Sequence, residues 1–416
     1  MRFLYNLVLI ISSVLLKIIA LFKPKIALFV KGRKDVFTVL SQKITSNDCC
    51  IWFHAASLGE FEQGLPVMEA MKRTFPTHKI ILTFFSPSGY EVRKNTKAAD
   101  VVVYLPLDTV QNAKRFIELV RPEMAFFIKY EYWPNYLNEL KTKEIPTYLI
   151  SGIFRKNQLF FKWYGGFYRK ALDAFHHFFV QNSTSKDLLL SLNKTNVTVS
   201  GDTRFDRVAA ILEQDNRLDF IEKFKNNTTT IVVGSSWPRD EELLINYINT
   251  TPNNVKFIIA PHNIKEEQIQ ELKKSISKNT LLFSKIEDNA GMGSQHSLHE
   301  YDVFIIDTIG ILTKIYSYAD IAYVGGGFGN PGVHNILEPA TFGVPIVIGP
   351  NFSHFAEATA LVNLQGCEAI SNQKELNEAF DHLIQNTAIR AEKGHICSTF
   401  VQMNKNATSI IVAKIK

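Results

Sequence analysis

Cysteine is scarce in this chain of 416 residues: there are four, Cys49, Cys50, Cys367 and Cys397. None has metal-ligand spacing, and adjacent residues such as Cys49 and Cys50 rarely bridge each other. A disulfide framework is therefore not expected, and the chain suits a reducing cytoplasm. There is no H-E-x-x-H, no D-x-D and no cysteine cluster, so no metal site and no cofactor are expected. Low-complexity tracts are missing too. The formal net charge is only +6, too weak to point to nucleic acid but compatible with an anionic membrane surface or a phosphorylated substrate. No small-residue cleavage site follows the first apolar run, which argues against a removed signal peptide.

What remains is a globular composition, 46% hydrophobic and 21% charged, long enough for two domains. Phe3 to Phe22 is apolar except for Asn6, Ser12, Ser13 and Lys17. Arg2, Asn6, Ser13 and Lys17 fall on one face at about 100° per residue. Such a face suits a helix lying in the membrane interface, although the length is near the spanning limit. Lys23, Lys25, Lys31, Arg33 and Lys34 follow, as expected beside anionic headgroups on the cytoplasmic side. A buried N-terminal helix is the plain alternative.

From Ile51 onward short apolar runs alternate with amphipathic stretches. Strands are expected at 51–54, 79–84, 101–104, 124–128, 147–150 and 178–180. A second series is expected at 230–234, 256–260, 281–283, 303–307, 321–324 and 345–348. Helices between them (62–73, 109–120, 133–141) give the rhythm of parallel sheets covered on both faces. The reading is a membrane-anchor helix (1–22) and two doubly wound Rossmann-like domains (23–205 and 206–416), with a linker near 200–228 and a site in the cleft they face. The polar segment Glu287–Glu300 reads as a loop.

The most informative stretch is Tyr323–Phe352. A strand runs into Gly325, Gly326, Gly327 and Gly329, then His334-Asn335 opens a helical turn carrying Glu338. Pro339 sits inside that turn. Glycine N–H groups and a helix start suit phosphate, and a carboxylate one turn on suits ribose hydroxyls. The alternative is a tight turn that merely needs glycine. Other candidates sit at strand ends. Glu60, in Ser57-Leu58-Gly59-Glu60, is either a general base or a helix-start carboxylate. Glu131 lies among aromatics in Lys129–Asn135. Ser235 and Ser236 are either phosphate contacts or an N-cap. His262 follows the strand 256–260.

Together these motifs resemble one family. Ser57–Glu60, Glu131–Asn135, Gly201–Asp206, Gly234–Ser236, Asp307–Gly310 and His334–Ala340 occur in the order seen in bacterial 3-deoxy-D-manno-octulosonic acid (Kdo) transferases, and the basic, apolar N-terminus is similar. The resemblance implies an inverting GT-B glycosyltransferase of lipopolysaccharide biosynthesis, on the cytoplasmic face of the inner membrane. Such an enzyme moves Kdo from CMP-Kdo to a lipid A precursor. It implies a general base at Glu60 and a second functional acid at Glu131. It also implies a C-terminal CMP-Kdo domain with Ser235, Ser236, His262, Gly310, Gly325, Gly326, Gly327, His334, Asn335 and Glu338 on the donor, and an acceptor-binding N-terminal domain. The chain departs from the family pattern at Lys129, where an acid is common, at Pro261-His262-Asn263, where Pro-Arg-His is common, and at Val333 and Ile336. The competing readings are a GT-B enzyme using a UDP- or GDP-sugar, a nucleotide-sugar epimerase, and a non-enzymatic membrane scaffold.

Overall fold

The structure is a computed structural model describing residues 1–252, 254–288 and 297–415. Most of the segment Glu287–Glu300 lies outside the described residues. The chain forms two compact units, Met1–Arg207 with Asn404–Lys416, and Val208–Met403.

The first unit holds seven strands: β1 (Cys50–Ala55), β2 (Lys79–Phe84), β3 (Val101–Tyr104), β4 (Pro122–Ile128), β5 (Thr147–Gly152), β6 (His177–Val180) and β7 (Val197–Val199). They pair in parallel in the order β3-β2-β1-β4-β5-β6-β7. β1 is buried along its whole length and feeds both helical layers. Alternate residues point to opposite faces, so Trp52 packs with Phe116, Phe127 and Tyr136, while Phe53 stacks on Phe126 at 4.4 Å.

The second unit holds β8 (Thr229–Ser236), β9 (Val255–Pro261), β10 (Thr280–Leu282), β11 (Val303–Ile305), β12 (Ile321–Val324), β13 (Ile346–Ile348) and β14 (Cys367–Ala369). Their order is β10-β11-β9-β8-β12-β13-β14, again parallel. Both sheets are doubly wound as expected, and each reverses direction once beside its first strand: between β1 and β4, and between β8 and β12. Ligands in such sheets bind outside the carboxyl ends at this reversal.

Two strands escaped the sequence reading. β7 and β14 are three-residue edge strands, each partly exposed and carrying a polar residue, so neither shows an apolar run. The turn at His334 also differs from expectation. The helix is Leu337–Thr341 with Ile336 as its N-cap, so His334 and Asn335 precede it in a loop. Pro339 falls in its first turn, where a missing N–H costs nothing.

The N-terminal helix Arg2–Ile19 buries none of its residues and is long and apolar enough, by length and composition, to cross a membrane. Its start is tied to the first unit. Tyr5 donates to Asp108 Oδ2 at 2.7 Å, and Asn135 Nδ2 donates to Asn6 Oδ1 at 2.8 Å. Part of the polar face therefore meets protein. Arg33 is likewise not a free headgroup contact. It donates to the carbonyls of Phe29, Phe85 and Leu105 and lies 3.6 Å from the Phe29 ring centre; burial lowers it to about 10.

The helix Ala407–Ile415, within the stretch 206–416, packs in the first unit: Ile411 joins the layer of Phe53 and Phe61. Asp206 caps it, accepting from the N–H groups of Asn406 and Thr408 at 2.5 and 2.7 Å.

Candidate active site

In the first unit two loops leave the strands that flank the reversal. β1 ends at Ala55, and the chain turns through Ser57 into the helix Leu58–Thr74. Ser57 is the N-cap residue, and its hydroxyl donates to Glu60 Oε2. Glu60 thus has a helix-start partner on one oxygen, is half-buried, and keeps lone pairs for a second partner. Gly89 lets the neighbouring loop come close, since a Cβ there would sit 3.0 Å from the Ser57 carbonyl carbon.

β4 ends at Ile128, and Lys129 takes a left-handed φ of 66°. That conformation is costly for a side-chain-bearing residue, and it turns Glu131 back into the protein. Glu131 is 8% exposed. Its Oε2 accepts from Trp133 Nε1 at 2.8 Å and lies 3.1 Å from His54 Nε2. Asn135 and Tyr136 then give their N–H groups to Asp108 at 3.1 and 3.0 Å. Burial raises Asp108 to about 6 despite those bonds and the one from Tyr5. Tyr130 lies within electrostatic reach of Glu60 and Arg155, and burial pushes its phenol up. A cavity of about 540 Å³ beside it is lined by Tyr130, Tyr132, Arg155, Phe160 and Tyr168. Glu60, Glu131 and Arg155 thus come from the carboxyl ends of β1, β4 and β5.

In the second unit β8 ends in Ser235-Ser236, with Ser235 left-handed at φ 54°. Ser236 Oγ donates to Glu241 at 2.8 Å. The glycine loop follows β12 alongside. Here the structure assigns the glycines a packing reason. A Cβ on Gly325 would sit 2.7 Å from Ser236 Cα, and one on Gly327 would sit 2.7 Å from Gly349 Cα. Gly325 N–H donates to Gly234 O and Gly326 N–H to Asp240 Oδ2, at 2.9 and 2.8 Å. Of the three N–H groups expected at an anion, that of Gly327 takes no partner among the described residues. Asp240 is fully buried and also accepts from Tyr323 Oη and Trp237 N–H. It ties β12, the glycine loop and the helix Pro238–Thr250 together.

His262 and His334 meet around Trp237. The His262 ring stacks on Trp237 at 4.5 Å and 14°, and the two histidine rings are 4.6 Å apart. Trp237 Nε1 donates to His334 Nε2 at 2.9 Å, which places the His334 proton on Nδ1. Burial, then His262, lower His334 to about 4. Because this value lies below the ordinary 6.5, the neutral ring's contribution to stability is full above about pH 6.5 and is lost as pH falls toward 4. The His334 ring resonance should titrate with a midpoint near 4 in an NMR pH series; a midpoint above 6 would mean that the ring is not held as described.

Glu338 Oε1 accepts from Asn335 Nδ2 at 2.9 Å and Oε2 from Thr313 Oγ1 at 2.8 Å. Gly310, with φ 103°, has open space around it, after the nearby strand β11. Asp307 caps another helix start through Ser284.

Sequence reasoning missed His54 and Asp108, and gave no role of their own to Trp133, Trp237 and Asp240 within the candidate loops. His54 carried one signal, a polar residue inside the apolar run of β1. Among the described residues, Cys49, His78 and Glu123 form a group able to hold a metal ion, with His78 Nε2 2.9 Å from Glu123 Oε2. It lies at the amino ends of β1, β2 and β4, away from both reversals' carboxyl ends, and the wide sequence separation hid it.

Residues 29–207, which include the Glu60 and Glu131 loops, match the family model described as 3-Deoxy-D-manno-octulosonic-acid transferase (kdotransferase). The chain is 28% identical over 334 residues to the 3-deoxy-D-manno-octulosonic acid transferase of Aquifex aeolicus, covering 78% of this chain and 83% of that protein. It is 27% identical over 398 residues to the enzyme of the same name from Chlamydia trachomatis serovar D, covering 91% and 88%. The chain is a relative of the Kdo transferases and a glycosyltransferase. Its architecture also resembles UDP-GlcNAc 2-epimerase from Neisseria meningitidis (TM-score 0.60, 16% identity, 88% of this chain and 99% of that one). MurG of Acinetobacter baumannii is similar too (TM-score 0.53, 13% identity, 88% and 99%). These likenesses concern the GT-B fold alone. An epimerase and a further enzyme share it, so the fold does not choose the sugar.

Proposed function

We propose that this protein transfers Kdo from CMP-Kdo to a lipid A precursor at the cytoplasmic face of the inner membrane, with inversion. The observation that carries the reading is the position of Glu60, at the carboxyl end of β1 within the matched stretch 29–207. In this reading the acceptor hydroxyl gives its proton to Glu60. Its oxygen bonds the anomeric carbon of Kdo as the bond from that carbon to the CMP phosphate breaks, and CMP leaves. The first unit binds the acceptor, and Glu131 assists there. The second unit binds the donor: Glu338 takes the ribose, and Ser235, Gly327, His262 and the Nδ1–H of His334 serve the phosphate and sugar. Asn335 steadies Glu338. The chain has no arginine at His262, and the stack on Trp237 supports a neutral contact there instead of a cationic one.

A competition experiment tests the donor. CMP should displace the bound donor, and UDP or GDP should not. Displacement by UDP alone would favour the UDP-sugar reading.

The N-terminal helix serves in this account as an interfacial anchor. Its exposed apolar residues, among them Phe3, Leu7, Ile11 and Ile18, support that role. Deleting residues 1–22 should move most of the protein into the soluble fraction. If the truncated protein still sediments with membranes in high salt, another surface is the main anchor. The deletion also removes the Tyr5 and Asn6 contacts to Asp108 and Asn135, so its thermal midpoint should fall by a few degrees.

A further inference from the structure

His54 is completely buried, and the reaction described above does not use it. It lies in a run of hydrogen bonds that crosses the sheet from β2 to the Glu131 loop. Trp52 Nε1 donates to Thr83 Oγ1 at 2.9 Å, and Thr83 Oγ1 is 2.8 Å from His54 Nδ1. His54 Nε2 is 3.1 Å from Glu131 Oε2, and Trp133 Nε1 reaches that same oxygen at 2.8 Å.

An indole N–H only donates, and a carboxylate only accepts. Trp133 Nε1 lies 2.8 Å from Glu131 Oε2 and 3.0 Å from His54 Nε2, so its one proton is within reach of both. Two neutral forms of the His54 ring follow. With the proton on Nδ1, donated to the Thr83 carbonyl 3.2 Å away, Nε2 accepts a share of the indole N–H, but its lone pair still faces Oε2 at 3.1 Å. Such an opposition is costly where water does not reach. With the proton on Nε2, the Thr83 hydroxyl donates to Nδ1 and both ring N–H groups converge on Oε2, the shorter of the two indole contacts. This second form leaves no such opposition. Glu131 Oε1 takes no partner among the described residues and is not one of the buried unpartnered atoms.

We propose that His54 is a positioning residue: with Trp133 it clamps Oε2 of Glu131, so that Oε1 is presented to a hydroxyl of the acceptor sugar. The inference rests on the reading of the first unit as the acceptor-binding half. His54 itself never touches substrate. It acts by removing the rotational freedom of a carboxylate whose loop is already held at Lys129 and Asn135.

The test has two arms. The first needs no substrate. In the full-length protein with ¹⁵N-labelled histidine, the spectrum of His54 should show a protonated Nε2 with a proton shifted downfield, and Glu131→Gln should move that proton upfield. An unprotonated Nε2, or a signal indifferent to Glu131→Gln, overturns the proposal. The second arm is kinetic. His54→Ala should raise the KM for acceptor or lower kcat so that kcat/KM falls about tenfold to a hundredfold, with the affinity for CMP unchanged. His54→Gln, whose amide N–H reaches the place of Nε2, should recover most of that loss. If His54→Ala does not fold, His54→Gln and the spectrum still decide. A His54→Ala protein with wild-type kinetics, or a His54→Gln protein no better than the alanine variant at equal thermal stability, contradicts a positioning role. Should the wild type prove inactive on CMP-Kdo, the function fails while the spectrum still tests the clamp.

Discussion

Replacing Glu60 by Gln should lower turnover by about 10²–10⁴, the usual contribution of a positioned general base, and leave CMP affinity where it was. The acceptor hydroxyl is a weak nucleophile until its proton is taken, whereas the leaving CMP already carries a stabilised phosphate. The deficit therefore falls on the base. Gln keeps the length of the side chain and an oxygen that can still accept from the Ser57 hydroxyl. The helix start should be nearly as stable as before, within about 1 kcal/mol of a lost charge–dipole interaction. The decisive result is a split: a large fall in kcat with almost no change in thermal midpoint or in CMP binding by calorimetry. A Gln variant with near-full turnover would leave Glu60 as a helix-start carboxylate and make Glu131 the next base to test.

The second large effect is expected at the nucleotide. Glu338→Ala removes a charge-assisted acceptor worth about 1.5–3 kcal/mol, so CMP affinity should fall on the order of tenfold to a hundredfold. Each carboxylate oxygen already accepts a bond, from Asn335 and from Thr313. These partners fix the carboxylate before a ligand arrives, which reduces the ordering cost of binding. Glu338→Gln keeps one acceptor and should fall between wild type and alanine. Isothermal calorimetry with CMP reads the effect directly, with circular dichroism to check folding. Unchanged CMP affinity in the alanine variant would remove Glu338 from the site.

Much of this was legible in the sequence because both sheets are parallel and buried. A run such as Ile51–Phe53 or Ile321–Val324 is apolar on both faces and announces itself. β7 and β14 sit at edges and do not. The candidate loops were legible for a related reason, since glycine, serine and a single acid directly after such a run mark a strand end. What the sequence could not show was who partners whom. Gly325 and Gly326 read as anion donors, yet their N–H groups are held by Gly234 and by Asp240, a residue whose pairing with Tyr323 spans 83 positions. Arg33 read as a headgroup contact because its neighbours are basic; only the fold reveals three carbonyls around it. His54 and Glu131 are 77 residues apart, and no local pattern joins them.

The central claim is Kdo transfer, and one measurement addresses it most directly. The purified full-length protein is incubated with CMP-Kdo and a lipid A precursor, and the lipid is examined by mass spectrometry. The account predicts a lipid heavier by Kdo, with CMP released in equal amount. A lipid of unchanged mass under conditions where the protein is folded and binds CMP, or modification by a UDP-sugar instead, would contradict it.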